Sequence, residues 1–317
     1  MALTSERLIK ISEHVYILSM PTNVGIITIP TLDNSLDIYL IESGNDDDTA
    51  QIISDFLKKT FKSFNLKAII NTHSHADHCG GNSYFVEHYN CQLWATKGEA
   101  ALMEFPELET SLIWGGTPIN EMRSKFLLAK PCTVNKRLSN EETIVLSTDN
   151  SNKQIKLKVI SLPGHYLDQA GYLIEDTDNK SSLFLGDAIS GRNIIKKYWI
   201  QYLFDEEKMK QSLLKISKIK ADYYIPGHGN FVTEIEGLAE LNILALLETE
   251  NMILDELKVP KTTEEILKSV ADRNNISLKT SQYFLIGSTL RSYISALHNA
   301  NKIKLEIKDN KMLWQKV

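Results

Sequence analysis

Through the first two thirds of the chain, short apolar runs alternate with stretches of helical spacing. This order is expected of α/β layering rather than of a helical bundle or an all-β sandwich. Strands are predicted at His14 to Leu18 and Leu36 to Ile41. A helix follows over Thr49 to Thr60, after the turn-like Gly44-Asn45 and the acidic Asp46 to Asp48. Further strands are expected at Lys67 to Asn71, Cys91 to Ala95, Ile155 to Leu162, Tyr172 to Glu175, Ser182 to Leu185 and Tyr223 to Ile225, with a helix beginning near Asn82. Of these strands, Ile155 to Leu162 alternates as a half-buried strand should.

From about Glu236 the pattern changes. A long helical stretch runs to Leu257, and Thr262-Thr263-Glu264-Glu265 reads as an N-cap with an acidic first turn, opening a helix to about Ala271. A helix over Ser281 to Ala300 and two strands, Ile303 to Ile307 and Met312 to Gln315, around Asp309-Asn310 complete a winged-helix-like order. The expected division is residues 1–240 and 241–317. Between Leu102 and Lys136 the pattern is broken by Pro106, Gly115-Gly116, Pro118 and Pro131; it fits a helical insertion on the scaffold or a lid over a site. No fixed-period repeat is present, which excludes a repeat protein.

Composition narrows the function. With 317 residues and 43% hydrophobic content, the chain can fill one large core and a smaller one. A net charge of -5 excludes a protein that coats nucleic acid or anionic membrane with its whole surface. The charge is uneven, however: from Lys261 onward ten Lys or Arg face five Asp or Glu. That basic tail suits dimerisation or pocket closure better than RNA or DNA binding. Three cysteines, Cys79, Cys91 and Cys132, form no disulfide framework. The apolar stretch from Ile9 to Met20 is interrupted by Lys10, Glu13 and His14, and no run approaches the roughly 18 apolar residues of a membrane span. A cytoplasmic protein is expected, with no membrane partner.

The chemistry sits just past strand ends. NTHSHADHCGGN packs His73, His75, Asp77 and His78 behind the strand at Lys67; His165, Asp187 and His228 each follow another. Such placement suggests one shared site at the rim of a sheet. Residues two apart in extended chain project to one side, so His73 and His75 can chelate one ion while Asp77 and His78 turn toward a second. Gly80 and Gly81 permit a tight path into the next helix. Five of the eight histidines lie in these motifs, too dense a cluster for chance surface placement. Imidazole and carboxylate suit Zn²⁺, Fe²⁺ or Mn²⁺, and no cysteine ligand singles out zinc. Cys79 reads as a packing residue, and His14, His88 and His298 as ordinary core or surface histidines. The run Tyr198, Trp199, Tyr202 and Phe204 suits core packing somewhat better than a pocket wall.

The HSHADH segment resembles the HxHxDH signature of the metallo-β-lactamase-fold hydrolase superfamily. LPGH ending at His165, FLGD ending at Asp187 and IPGHG containing His228 are similar to its later ligand motifs. The resemblance implies an αββα sandwich, here with a small C-terminal winged-helix-like domain. It also implies two divalent metal ions, zinc first with Fe or Mn as alternatives: His73, His75 and His165 on one, Asp77, His78 and His228 on the other, and Asp187 between them. Asp187 stands where several antibiotic-degrading zinc β-lactamases have cysteine, and His75 where flavodiiron proteins have glutamate, so neither group is matched. PGHYLDQAGYLI with the tail resembles the lactamase-β-like proteins, and the core motif equally resembles hydroxyacylglutathione hydrolase. Tyr166 departs from the small Ser or Thr of many relatives.

The expected activity is hydrolysis of a small ester or thioester. Paired cations lower the pKa of bound water from about 15.7 toward about 7, and Asp77 can relay a proton. A single-stranded RNA endonuclease and a mononuclear-iron persulfide dioxygenase are the alternatives. A DNA-binding protein with a dead site fits less well, because every expected ligand is present.

Overall fold

The computed structural model describes residues 4–148, 153–197 and 200–317. In chain order the first half contains β1 (Leu8–Lys10), β2 (Val15–Leu18), β3 (Val24–Pro30), β4 (Leu36–Ile41), α1 (Asp47–Phe61), β5 (Phe64–Ile70), α2 (Ala76–Cys79), α3 (Asn82–Tyr89), β6 (Gln92–Thr96), α4 (Lys97–Glu104), α5 (Glu107–Trp114), β7 (Lys136–Leu138) and β8 (Thr143–Thr148). Then follow β9 (Gln154–Ser161), β10 (Ala170–Glu175), β11 (Ser181–Gly186), α6 (Arg192–Lys197), α7 (Glu206–Ile216), β12 (Tyr223–Pro226), α8 (Glu236–Glu256), α9 (Thr263–Arg273), α10 (Thr280–Asn299), β13 (Ile303–Lys308) and β14 (Lys311–Lys316).

Among the described residues, β1 to β7 form one sheet in sequence order, antiparallel up to β4 and parallel from β4 to β7. A second sheet has the order β12-β11-β10-β9-β8, with β11 and β12 parallel and the other pairs antiparallel. Alternation along each strand decides the layers. Ile27, Ile41 and Ile70 of the first sheet meet Leu157, Tyr172 and Phe184 of the second. Ile26, Leu40 and Ile69 point the other way, onto Ile53, Phe56 and Leu57 of α1 and Phe85 of α3. On the far side Leu183 and Leu185 pack with Leu213 of α7 and Leu238 of α8. The result is helix, sheet, sheet, helix: the αββα sandwich expected from the sequence. Each large aliphatic side chain withdrawn from water contributes about 1.5–3 kcal/mol.

The apolar layer outside the second sheet continues without a break into Ile266 and Leu267 of α9, Leu290 and Tyr293 of α10, and Ile303 and Trp314 of the β13–β14 hairpin. Helix α8 crosses residue 240 as one continuous element. Thr262 is the anticipated N-cap of α9, and with Glu265 it forms a reciprocal capping box. Helix α1 begins earlier than Thr49 because the Asp46 side chain caps it by accepting from Thr49 N. Strand β3 carried no alternation because both of its faces are buried. The segment from Leu102 to Lys136 includes the end of α4 and α5, a helical insertion. No helix among the described residues is long and apolar enough to cross a membrane.

Two sets of bonds lock the sheets together where strands end. The Tyr172 hydroxyl donates to the Asn71 carbonyl at 2.6 Å, and Ala170 N donates to Thr72 O at 3.0 Å. Asn23 donates from its backbone to Gly227 O and from its side chain to the Pro226 and Gly229 carbonyls. Replacing Tyr172 by Phe removes the buried donor to Asn71 and is expected to cost about 1–2 kcal/mol, read from urea midpoints with the native circular dichroism unchanged.

Candidate metal centre

The loop after β5 is shaped by carboxylates that hold no place in its motif. Thr72 Oγ1 and Asn71 Nδ2 donate to Glu42, at the end of β4, while Asn71 Nδ2 also reaches His78 O. Glu42 itself has a φ of 70°, a left-handed backbone found at strained, over-determined sites. Glu99 of α4 accepts from Ser74 N, Ser74 Oγ and Asp168 N at 2.8–2.9 Å, tying the loop after β5 to the loop after β9. Glycine is forced at two points. A Cβ on Gly80 would lie 2.2 Å from Asn45 O, and one on Gly227 would lie 2.4 Å from Asp187 Oδ1.

Strands β9, β11 and β12 run in the same direction, so their C-terminal ends share one edge with that of β5. All seven anticipated residues meet there. His75 Nδ1 lies 3.0 Å from both His73 Nε2 and His165 Nε2. Asp77 Oδ2 is 3.1 Å from His228 Nε2 and 3.7 Å from His78 Nε2. Asp187 stands between the groups: its Oδ2 is 3.6 Å from His165 Nε2 and 3.4 Å from His228 Nε2, and its Oδ1 is 3.4 Å from His78 Nε2. Two sets of three, His73/His75/His165 and Asp77/His78/His228, are each close enough to hold one ion.

The far nitrogens of four of these imidazoles face polar groups, at hydrogen-bond distance for His73 and His228 and as charge neighbours for His78 and His75. Thr72 Oγ1 is 3.0 Å from His73 Nδ1, the Pro21 carbonyl is 2.7 Å from His228 Nδ1, Glu42 Oε1 is 3.2 Å from His78 Nδ1, and Glu109 Oε1 is 3.6 Å from His75 Nε2. Such outer partners set ring orientation and tautomer in metal sites. Glu42 also lies within reach of His73 and His78 as a third potential set. It faces Nδ1 of His78, away from the convergent nitrogens, and its oxygens accept from Thr72 and Asn71; this marks an outer partner.

Electrostatics divide the cluster. Burial holds His73 and His165 below the ordinary imidazole range and takes His75 down to about 3, so these three present neutral lone pairs. Asp187 lifts His228 to about 12. Burial pulls His78 down, yet the Asp77, Asp187 and Glu42 carboxylates carry it up to about 10. Burial also opposes ionisation of Asp77 and Asp187, but His78 and His228 keep both below the usual carboxylate range. The Asp77 side therefore calls for positive charge. His78 Nε2 and Asp187 Oδ1 are buried without a hydrogen-bond partner, which fits a cation between them.

A cavity of about 680 Å³ opens beside the cluster, with Asp77, His165, Asp187 and His228 in its wall. Tyr202 lines it, whereas Phe204 packs against Tyr166; Tyr198 and Trp199 lie outside the described residues. Tyr166 is buried beside the His75 ring, 4.3 Å between centroids, and takes no part in the cavity wall. Cys79 is buried and donates to the Ser74 carbonyl, the packing role expected of it. Glu42, Glu99 and Glu109 were not anticipated. Glu42 alone carried a usable signal, following a strand end as the ligands do.

Five imidazoles and two carboxylates at the rim of an αββα sandwich define a metal-dependent hydrolase. Residues 21–228 match the family profile described as metallo-beta-lactamase superfamily. The chain belongs to the metallo-beta-lactamase superfamily. It is 24% identical over 274 residues to a hydroxyacylglutathione hydrolase of Blochmanniella pennsylvanica (strain BPEN), covering 84% of this chain and 88% of that one. Its fold is similar to a beta-lactamase domain protein from Burkholderia ambifaria, with TM-score 0.70, 16% identity, and 98% of this chain and 93% of that one covered. A metallo-beta-lactamase family protein from Thermus thermophilus is similar at the same score and identity, with 98% and 97% covered.

Burial raises the Glu99 carboxyl from 4.5 to about 7 against the bonds from Asp168 and Ser74. The folded state then binds more protons than the unfolded one between these values. The stability this contributes is complete below about 4.5 and lost as pH rises through about 7. Glu99→Gln should therefore gain on the native protein by on the order of 2 kcal/mol between pH 5 and pH 8, read by urea unfolding. A pH-independent difference would mean that Glu99 is ionised throughout.

Proposed function

We propose that this chain hydrolyses a small ester or thioester with two divalent cations, one on His73, His75 and His165, the other on Asp77, His78 and His228, with Asp187 shared. The observation that carries the reading is the position of Asp187, whose two oxygens face imidazoles of both sets at 3.4–3.6 Å. Bound there, a cation pair ionises water near neutral pH and polarises the electrophilic oxygen. Zinc suits the donor set, as do iron and manganese.

The chain supplies the rest. Water oxygen bonds to the acyl carbon, the C–O or C–S bond breaks, and the departing atom takes the proton. Asp77, the more exposed of the two carboxylates and part of the cavity wall, relays that proton. The Glu42, Glu109, Thr72 and Pro21 contacts hold the imidazoles in register. The C-terminal segment, which we read as a winged-helix-like unit over residues 241–317, supports the pocket: Thr289 Oγ1 of α10 accepts from Leu203 N, and Ser292 Oγ donates to Phe204 O. Three free cysteines, two of them buried, agree with a reducing compartment.

Metal-loaded protein is expected to carry two ions per chain by elemental analysis and to cleave esters or thioesters. Asp187→Ala should lower metal content and cut kcat/KM by at least about a hundredfold. Full activity with a single iron per chain, accompanied by oxygen uptake, would instead establish the dioxygenase reading.

A further inference from the structure

The cavity beside the metal cluster has a chemical character of its own. Away from the metal cluster its described lining contains no carboxylate and a single lysine, Lys197. Six side chains, Met20, Pro21, Phe126, Ile194, Ile200 and Tyr202, supply its apolar surface from four separate parts of the chain. The Tyr202 ring stands 5.2 Å from that of His75 and 5.6 Å from that of His165, so the apolar wall reaches the reacting centre. At about 680 Å³ the space matches a drug-sized ligand. A polynucleotide, or a thioester of a peptide with several charges, would set much of its charge against hydrocarbon here and lose hydration that Thr22, Asn45, Thr49, Ser190 and Gln201 replace only in part.

We propose that the substrate is an ester or thioester with an extended apolar chain next to the scissile bond, seated against these six side chains. This rests on the hydrolase reading above. Each methylene that enters the wall is worth at most about 0.8 kcal/mol, or roughly fourfold in kcat/KM.

The test uses metal-loaded protein and ethyl esters from acetate to octanoate, with a hydroxyacylglutathione thioester and single-stranded RNA as rivals. Rising kcat/KM along the ester series is expected, and Phe126→Ala and Ile194→Asn should each reduce the octanoate-to-acetate ratio several-fold. Calorimetric binding of acetate, hexanoate and octanoate runs in parallel, with tighter binding and a more negative heat-capacity change for longer chains. A flat ester series, or preference for the glutathione thioester or RNA, overturns the proposal. Should no ester be cleaved, the hydrolase reading falls, and alkanoate binding alone decides: affinity independent of chain length refutes the apolar seat.

A separate observation concerns α5. His75 turns Nδ1 toward His73 and His165, which leaves Nε2 pointing away from the cluster. Among the described residues the carboxylate in ion-pair range of that nitrogen is Glu109, itself only 5% exposed. The geometry assigns Glu109 as a positioning residue whose Oε1, 3.6 Å from His75 Nε2, favours the tautomer with its proton on Nε2 and its Nδ1 free to ligate. Glu109→Ala should weaken metal binding about 10–100-fold by chelator competition, and Glu109→Gln, which keeps an acceptor, should recover most of it. The melting temperature of chelator-treated protein should barely move while the increment on adding metal shrinks. Equal losses with and without metal, or unchanged affinity in both variants, would reduce Glu109 to a packing role. If the alanine variant does not fold, Glu109→Asp, whose carboxylate is withdrawn by one methylene, carries the same comparison.

Discussion

Two carboxylates held within 4 Å of convergent imidazoles, mostly shielded from water, set the terms for everything around them. Charge in such a place is costly unless an opposite charge compensates it. Asp187 has the central position because it belongs to neither set alone. Its neighbours His165, His78 and His228 come from separate loops, and only a scaffold that fixes all of those loops can keep three imidazoles around one carboxylate.

The sandwich meets that demand through strand direction. Strands β5, β9, β11 and β12 end on one edge, and the bonds from Tyr172 to Asn71, Ala170 to Thr72 and Asn23 to Gly227 stitch the two sheets at that edge. The apolar layers hold the strands, and the buried glutamates then aim the loop. Glu42, Glu99 and Glu109 come from three different elements and touch three different points of the segment from Thr72 to His78. The segment after β6 therefore helps to build the centre, through Glu99 of α4 and Glu109 of the insertion, whose later part adds Phe126 to the cavity wall.

The seven convergent side chains were legible in the sequence because each lies directly behind an apolar strand, four in the dense motif from His73 to His78 and three in the LPGH, FLGD and IPGHG segments that resemble the family's later motifs. Several strands were legible from alternation or from a short apolar run, as at Leu36 and Ile155. What escaped depends on contacts between distant parts. Strand β3 is buried on both faces, so its pattern resembles any apolar run. Glu99 and Glu109 sit on helices where acidic residues are ordinarily solvated, and only the packing of α4 and α5 against the loop reveals them as buried. The continuity of the apolar layer from β11 to α10 is likewise a property of packing that leaves no mark in the sequence pattern.

The most direct measurement is an anomalous-diffraction map from crystals of the metal-loaded protein. The account predicts two peaks roughly 3.5–4 Å apart on either side of the Asp187 carboxylate, one against His73, His75 and His165 and the other against Asp77, His78 and His228. A single peak on the Glu42 side of His73 and His78, or two peaks that leave Asp187 unligated, would contradict it.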